Sequence, residues 1–307
     1  SVFISGAITS GANVTLESTN TLSSAVTRVG GSVSSTASNA LITIKAANTV
    51  QLRSVTIQTP GASSPELGGI SIWADSDGDG VGAVETWATC VNTIGTCISP
   101  TNSGGSRIVI GGGSSADVSG RFPAGGPKTG ANSNGLRFGN LTEGPKVWSG
   151  GGQVSITSVS SGTGDFSGQY WSGGSFIHSG NGQITLTNIG DNTGSTATQN
   201  GVTFQTATSG ENIAPITLTS NRASGRAIEI ISENKGTADF ATGIRSYSSS
   251  TAVRVNLGAP AGGDIFLQGI TTGAHSIELN NTDIVASSGS ITMRGTNSMY
   301  LDRFANS

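Results

Sequence analysis

A triplet of apolar, polar and apolar residues recurs along the whole chain, each time beside a short turn that often contains glycine. Examples are residues 14–16, 42–44, 108–110, 216–218 and 277–279. Alternation with a period of two residues is typical of a β-strand with one buried face and one solvated face. Strands this short bury little apolar surface alone. They must therefore stack, so that each inward side chain rests on the equivalent residue of the next coil.

The spacing of the strands supports such a stack. Strand starts fall at residues 202, 216, 228, 253, 265, 277 and 291, in steps close to twelve residues or twice that. Two or three strands per turn give a coil of roughly 24–30 residues, within the range of repeat architectures. A meander or sandwich would instead show longer strands joined by hairpin dipeptides such as Asn-Gly.

The predicted fold is therefore all-β: an elongated, right-handed parallel β-helix (β-solenoid) of roughly 11–12 coils, on the order of 55 Å long. We expect residues 1–307 to form a single solenoid segment of a longer chain. Loop insertions are predicted at about residues 73–107 and 111–135.

Composition excludes several other classes of protein. Charged residues make up only 11% of the chain, against about 25% in typical soluble domains. The net charge of -3 argues against nucleic-acid binding, which requires a concentrated basic surface. No apolar run approaches the ~20 residues needed to span a bilayer.

Cys90 and Cys97 flank a short loop. Their spacing matches neither a C-x-x-C motif nor a zinc pattern. The preferred interpretation is a local disulfide, which implies an oxidising compartment. The alternative is two buried free thiols.

An acidic cluster at Asp75, Asp77 and Asp79, followed by Glu85, predicts a calcium site. Calcium accepts six to eight oxygen ligands in flexible geometry. The spacing matches the first half of an EF-hand loop, but Glu85 falls one position short of the final ligand. The alternative is a solvated turn whose Asp and Gly residues only shape the exit of a strand. No other cofactor is expected.

Aromatic residues are concentrated around Trp148, Tyr170 and Trp171. Together with Trp73 and Trp87 they could form a sugar-stacking or partner-binding surface. The alternative is that these side chains cover the apolar core.

Catalytic motifs are missing from the sequence. His178 and His275 are far apart, and neither lies in a metal-binding or hydrolase motif. Two carboxylate–arginine sets are candidates for chemistry on one face: Asp165 and Asp191 near Arg222 and Arg226, and Glu229 with Arg245 and Arg254. Ion pairs between neighbouring strands explain these sets equally well. We therefore expect no enzymatic activity.

Four segments carry a family resemblance: G-G-I-S-I-W-A-D-S-D-G-D-G-V-G-A-V at 68–84, R-I-V-I-G-G-G at 107–113, G-L-R-F-G at 135–139 and G-G-Q-V-S-I at 151–156. Together they resemble the repeat regions of filamentous-haemagglutinin-like giant exoproteins of Gram-negative bacteria. The resemblance implies export, a right-handed parallel β-helix, and roles in adhesion, aggregation and surface coating. The N-terminal secretion domain of that family, with its N-P-N-G-type signature, is absent here, which leaves the export route open.

These observations predict an extracellular structural or adhesive segment, such as a stalk, surface adhesin or filament, at a bacterial cell surface. Expected partners are a host or neighbouring-cell surface, a polysaccharide, or like protein chains. The first and last strands, near residues 2–4 and 299–301, show no polar cap, which predicts end-to-end self-association. The alternative function is an extracellular polysaccharide-binding or polysaccharide-cleaving β-helix.

Overall fold

The computed structural model describes most of the chain as a stack of short strands. The described residues are 1–22, 25–61, 68–87, 90–92, 105–128, 134–139, 144–161, 167–192, 199–206, 215–238, 241–248, 254–302 and 305–306.

Thirty strands are found within these residues. In chain order they are β1 (Val2–Ile4), β2 (Ile8–Ser10), β3 (Val14–Ser18), β4 (Val26–Val29), β5 (Val33–Ser35), β6 (Leu41–Ala46), β7 (Thr49–Arg53), β8 (Thr56–Gln58), β9 (Gly69–Ala74), β10 (Val84–Trp87), β11 (Cys90–Asn92), β12 (Arg107–Ala116), β13 (Pro123–Gly125), β14 (Leu136–Phe138), β15 (Lys146–Trp148), β16 (Val154–Ser161), β17 (Ser167–Ser172), β18 (Phe176–His178), β19 (Ile184–Asp191), β20 (Asn200–Thr206), β21 (Ile216–Thr219), β22 (Arg226–Asn234), β23 (Thr242–Ser248), β24 (Val255–Ala259), β25 (Asp264–Thr271), β26 (His275–Asn280), β27 (Thr282–Ala286), β28 (Ile291–Gly295), β29 (Ser298–Asp302) and β30 (Ala305–Asn306).

The strands form three parallel sheets, and each coil supplies one strand to each sheet in turn. Sheet A starts with β1, β4 and β7 and ends with β29. Sheet B starts with β2, β5 and β8 and ends with β30, and sheet C runs from β3 to β28. This arrangement confirms the prediction of a parallel β-helix. Right-handed winding, the general rule for parallel crossover connections, stays a prediction.

Columns of identical or similar side chains fill the interior. In sheet C, Ile42, Ile70, Ile108 and Val154 pair in register, and each is fully buried. These columns continue through the chain as the inward positions of the predicted triplets. Strand length varies from two residues in β30 to ten in β12, and it is the stacking between coils that buries the apolar surface.

The number of coils is smaller than predicted. Sheets A and B contain ten strands each in the described part of the chain, against the 11–12 coils expected. The reason is that coil length varies. Phe3 pairs with Arg28, whereas Glu85 pairs with Arg137 in a coil about twice as long. Ten strands at a spacing of about 4.8 Å give a stack on the order of 43 Å, shorter than expected.

The two segments predicted as loop insertions have different structures from each other. Segment 73–107 is not a continuous insertion, because it contains β10 and β11, which pair in register with strands on both sides. Within 111–135, β12 continues to Ala116 and β13 returns antiparallel to it, so this part leaves the stack as a hairpin. The described residues form no helix, and therefore none that is suited to crossing a membrane.

Candidate functional site

A groove of about 580 Å³ lies on the outer face of sheet A. Its centre is a column of four residues on successive strands, because Arg137 pairs with Tyr170, Tyr170 with Thr203, and Thr203 with Arg245. Each follows an inward residue of its strand, so the alternation of the strand directs it outward. The lining residues are Asn134, Arg137, Ser167, Tyr170, Asn200, Thr203, Gln205, Arg245 and Tyr247.

Two tyrosines lie at different positions along this groove. Tyr247 pairs with Gln205 and is 38% exposed, and Tyr170 is half-buried two strands away. The offset of two strands and two residues places their Cα atoms about 12 Å apart. Burial raises the pKa of the Tyr170 hydroxyl above its usual value, and the positive charge of Arg137 opposes that shift. The Tyr170 hydroxyl is therefore protonated and neutral at physiological pH.

Neutral hydrogen-bonding groups lie between the tyrosines. The hydroxyls of Ser167 and Thr203 are 2.8 Å apart, and Asn134 Oδ1 accepts a hydrogen bond from the Ser167 backbone N–H at 2.8 Å. The buried Oδ1 of Asn200 has no hydrogen-bond partner among the described residues.

The positive charge of the groove is concentrated at one end. Arg245 Nε lies 3.2 Å from Glu278 Oε2, so that charge is largely neutralised. Arg137 is exposed and forms no ion pair with any described residue. Glu85 is its neighbour in the column, but Glu85 Oε2 accepts a hydrogen bond from Gln51 Nε2 at 2.7 Å.

Only one of the three predicted ligand-binding aromatics lines the groove. Trp171 is fully buried in the core, where its ring stacks on Phe138 with centroids 4.0 Å apart. Trp148 is 8% exposed and packs against His178 on sheet B, with centroids 4.3 Å apart. The prediction for these two tryptophans is therefore wrong, and the interpretation as core or covering residues holds. Tyr170 alone faces the groove.

Sequence reasoning missed Arg137, Thr203 and Tyr247 as groove residues. A signal was present for two residues of the column, because Arg137 and Thr203 each occupy the polar middle position of a short triplet. Their convergence depends on which strands become neighbours. Coil length varies along the chain, so the spacing of residues in the sequence does not display that pairing.

The acidic cluster forms the turn that follows β9. Asp75, Asp77 and Asp79 each offer an oxygen, and these atoms lie within 4.8 Å of one another. Their chemistry suits a hard cation such as calcium. Glu85 does not belong to this group, because its carboxylate contacts Gln51 on sheet A. The four-residue calcium site is therefore corrected to three carboxylates.

Asp75 is the buried member of the cluster, with only 1% of its surface exposed. Burial raises the pKa of its carboxyl to about 6, and Asp79 and Asp77 add to that shift. The backbone N–H groups of Gly80 and Lys128 donate to it at 3.2 and 3.5 Å and oppose the shift. The turn is thus closed by its own hydrogen bonds, as the solvated-turn alternative requires. The geometry is compatible with both interpretations.

The carboxylate–arginine sets do not converge. Glu229 lies on sheet C, Arg245 on sheet A, and Arg254 directly before a strand of sheet B. Each has a local partner instead: Glu229 pairs with Arg226, Arg245 with Glu278, and Arg254 with Asp283.

The other set is dispersed as well. Asp191 pairs with Lys128 at 3.0 Å at the end of β19, whereas Arg226 begins β22 and Arg222 Nε donates to the Ser224 carbonyl. Asp165 lies outside the described residues.

Cys90, one of the two cysteines of the proposed disulfide, is the first residue of β11. The side chain of Cys90 and the whole of Cys97 lie outside the described residues. The pairing therefore stays a prediction.

No protein-family model matches this chain, and neither a curated protein nor a solved structure matches it. The resemblance to filamentous-haemagglutinin-like exoproteins therefore stays a hypothesis.

Proposed function

We propose that this chain is a non-catalytic structural and adhesive β-solenoid segment at a bacterial cell surface, and that it binds a saccharide through the groove on sheet A. The observation that carries this proposal is the placement of Tyr170 and Tyr247 on either side of neutral hydroxyl and amide groups in one groove.

The composition of the groove matches the chemistry of a pyranose ring. Such a ring has an apolar C–H face and a rim of hydroxyls, so it needs both aromatic surface and uncharged hydrogen-bonding groups. Tyrosine supplies a flat apolar ring with a polar end. Asn200, Gln205 and Thr203 supply donors and acceptors. The volume of about 580 Å³ lies within the usual range of ligand sites.

Binding without cleavage is supported by the identity of the lining residues. Glycoside hydrolysis generally uses two carboxyl groups flanking the scissile bond. The described residues that line this groove include no carboxylate and no imidazole. The neighbouring Glu278 is engaged by Arg245.

The parallel stack supports the structural half of the proposal. Each coil hydrogen-bonds to the coils above and below it, and the interior columns are continuous through the described residues. Such an array holds a surface groove rigidly, as adhesion requires. The extracellular location rests on the family resemblance and the expected disulfide.

The test is binding of the folded chain to a panel of neutral and acidic oligosaccharides, measured by calorimetry. Tyr170→Ala and Tyr247→Ala should each weaken binding by about three- to tenfold, because each removes one stacking surface. Tyr300→Ala is the matched control, since Tyr300 lies in the same outward column, outside the groove. Failure of the unmodified chain to bind any member, or equal losses in the control, would contradict the proposal. Release of cleaved sugar would contradict its non-catalytic part.

A further inference from the structure

The outward column of sheet A has an ordered pattern of charge. From Glu85 it continues through Arg137, Tyr170, Thr203 and Arg245 to Glu278 on successive strands. An acidic residue therefore stands one strand beyond each arginine. Arg245 forms an ion pair with Glu278, whereas Arg137 forms none with any described residue, so Arg137 is the groove arginine whose guanidinium is free to meet a ligand.

We propose that the groove selects an anionic saccharide and that Arg137 is the residue that recognises its carboxylate or sulfate group. This inference rests on the proposed function, since it assigns the charge of the saccharide that the groove binds. The guanidinium group presents a planar fork of N–H donors that matches carboxylate and sulfate oxygens.

The geometry places this charge beside the proposed stacking surface. Arg137 and Tyr170 are register partners on adjacent strands, about 4.8 Å apart along the stack. A sugar in contact with the Tyr170 ring therefore has its substituents within reach of the Arg137 side chain. Asn134 and Gln205 line the same groove and offer uncharged donors and acceptors. One end of the groove thus suits an anion and its interior suits neutral hydroxyls.

The flanking acids limit where ligand charge can lie. A polyanion that continued along the solenoid axis would meet Glu85 beyond one arginine and Glu278 beyond the other. Like charges at this distance are repulsive. The interval from Arg137 to Arg245 is three strand spacings, about 14 Å. A short anionic oligosaccharide should therefore bind as tightly as a long polymer of the same sugar.

The experiment uses two pairs of probes that differ in whether they carry negative charge: oligogalacturonate with its fully methyl-esterified form, and a sulfated dextran oligosaccharide with the unmodified dextran oligosaccharide. Affinities are measured by calorimetry in EDTA, so that calcium cannot bridge acid groups. The unmodified chain should bind the anionic member of at least one pair about tenfold or more tightly than its neutral member. This preference should fall as salt is raised, because Arg137 is exposed.

The variant Arg137→Gln should bind anionic and neutral members equally and keep the affinity of the unmodified chain for the neutral one. Arg254→Gln is the matched control: it removes the same charge from an arginine that pairs with Asp283 at 2.6 Å beside sheet B, and it should keep the preference. Circular dichroism verifies that both variants are folded.

Two outcomes overturn the inference. If the neutral members bind as tightly as the anionic ones, or if Arg137→Gln keeps the preference, anion selection by Arg137 is wrong while saccharide binding stands. If no member of either pair binds to the folded chain, both the inference and the proposed function are wrong.

Discussion

Asp75 illustrates at the residue scale how a buried charge links the fold to pH. Its carboxyl has a pKa of about 6 in the folded chain, raised from 3.8 mainly by burial. Between these two values the folded state binds a proton more tightly than the unfolded state does. The contribution of Asp75 to stability is therefore complete below about pH 4 and is lost as the pH rises to about 6.

This linkage makes a prediction for Asp75→Asn. The amide stays neutral, so the variant should lose the part of the pH dependence that lies between pH 4 and 6, and should be more stable than the unmodified chain at pH 7. Thermal unfolding followed by circular dichroism from pH 4 to 7, in EDTA, measures the difference between the two chains. Asp283→Asn, which removes a partly exposed carboxylate paired with Arg254, is the control. Parallel curves for Asp75→Asn and the unmodified chain would contradict the prediction.

A second prediction at this scale concerns calcium. A divalent cation would neutralise the repulsion among Asp75, Asp77 and Asp79, whose oxygens lie within 4.8 Å of one another. Calorimetric titration should therefore show saturable binding, which Asp77→Ala should abolish. Glu85→Ala should leave it intact, because that carboxylate contacts Gln51 instead. A flat titration of the unmodified chain would favour the solvated turn.

The neighbours Tyr170 and Trp171 provide a third prediction, because they face opposite sides of one strand. Trp171→Ala should cost about 3–5 kcal/mol of unfolding free energy, since it empties a fully buried site between Phe138 and Phe204. Tyr170→Ala should cost much less, because its ring is half-exposed. Urea unfolding of both variants measures the contrast. Equal losses would contradict the placement of Trp171 in the core and Tyr170 on the surface.

At the scale of strands and sheets, the triplet pattern was sufficient to predict a parallel stack, because period-two alternation determines which residues face inward. It failed where a strand breaks that rule. Gln169 occupies an inward position beside Trp171, is fully buried, and donates to the carbonyls of Ile156 and Thr187. A polar residue inside and a tyrosine outside reverse the expected pattern. The polarity of these residues therefore did not predict that the Trp171 side chain points into the core.

The groove itself was beyond sequence reasoning for a different physical reason. Stacked strands become neighbours irrespective of the length of chain that connects them, so Arg137 lies beside Tyr170 in one coil and Thr203 beside Arg245 after a longer one. The hydrogen bonds and side-chain packing between two paired strands do not depend on the loop outside them. Loop length therefore conceals which polar residues share a column.

At the scale of the whole molecule, both ends of the described stack expose large apolar side chains. Phe3 is 64% exposed in the first strand of sheet A, and Met299 and Tyr300 are each 49% exposed in the last. Terminal strands of this kind offer unpaired backbone groups together with apolar side chains. We expect the isolated 307-residue chain to associate head to tail, in a contact that does not close.

Light scattering coupled to size-exclusion chromatography over a concentration series checks this association. Mass should rise with concentration, and Met299→Lys should suppress the rise, because it places a charge in the inward column that continues from Ile277. Val285→Lys, at a 39% exposed apolar site one strand from the end of sheet B, is the control and should not suppress it. A constant monomeric mass at every concentration would contradict the prediction.

The column from Arg137 to Arg245 also fixes the distances between its ligand contacts. Its contacts can move along the stack only in whole steps of about 4.8 Å, since an added or deleted coil shifts everything beyond it by one step. Lengthening a loop changes the surface outside the stack and leaves the spacing of the strands unchanged. A lineage of such molecules would therefore alter the distance between ligand contacts in discrete increments, and would adjust the chemistry at each mark by single substitutions that leave the spacing untouched.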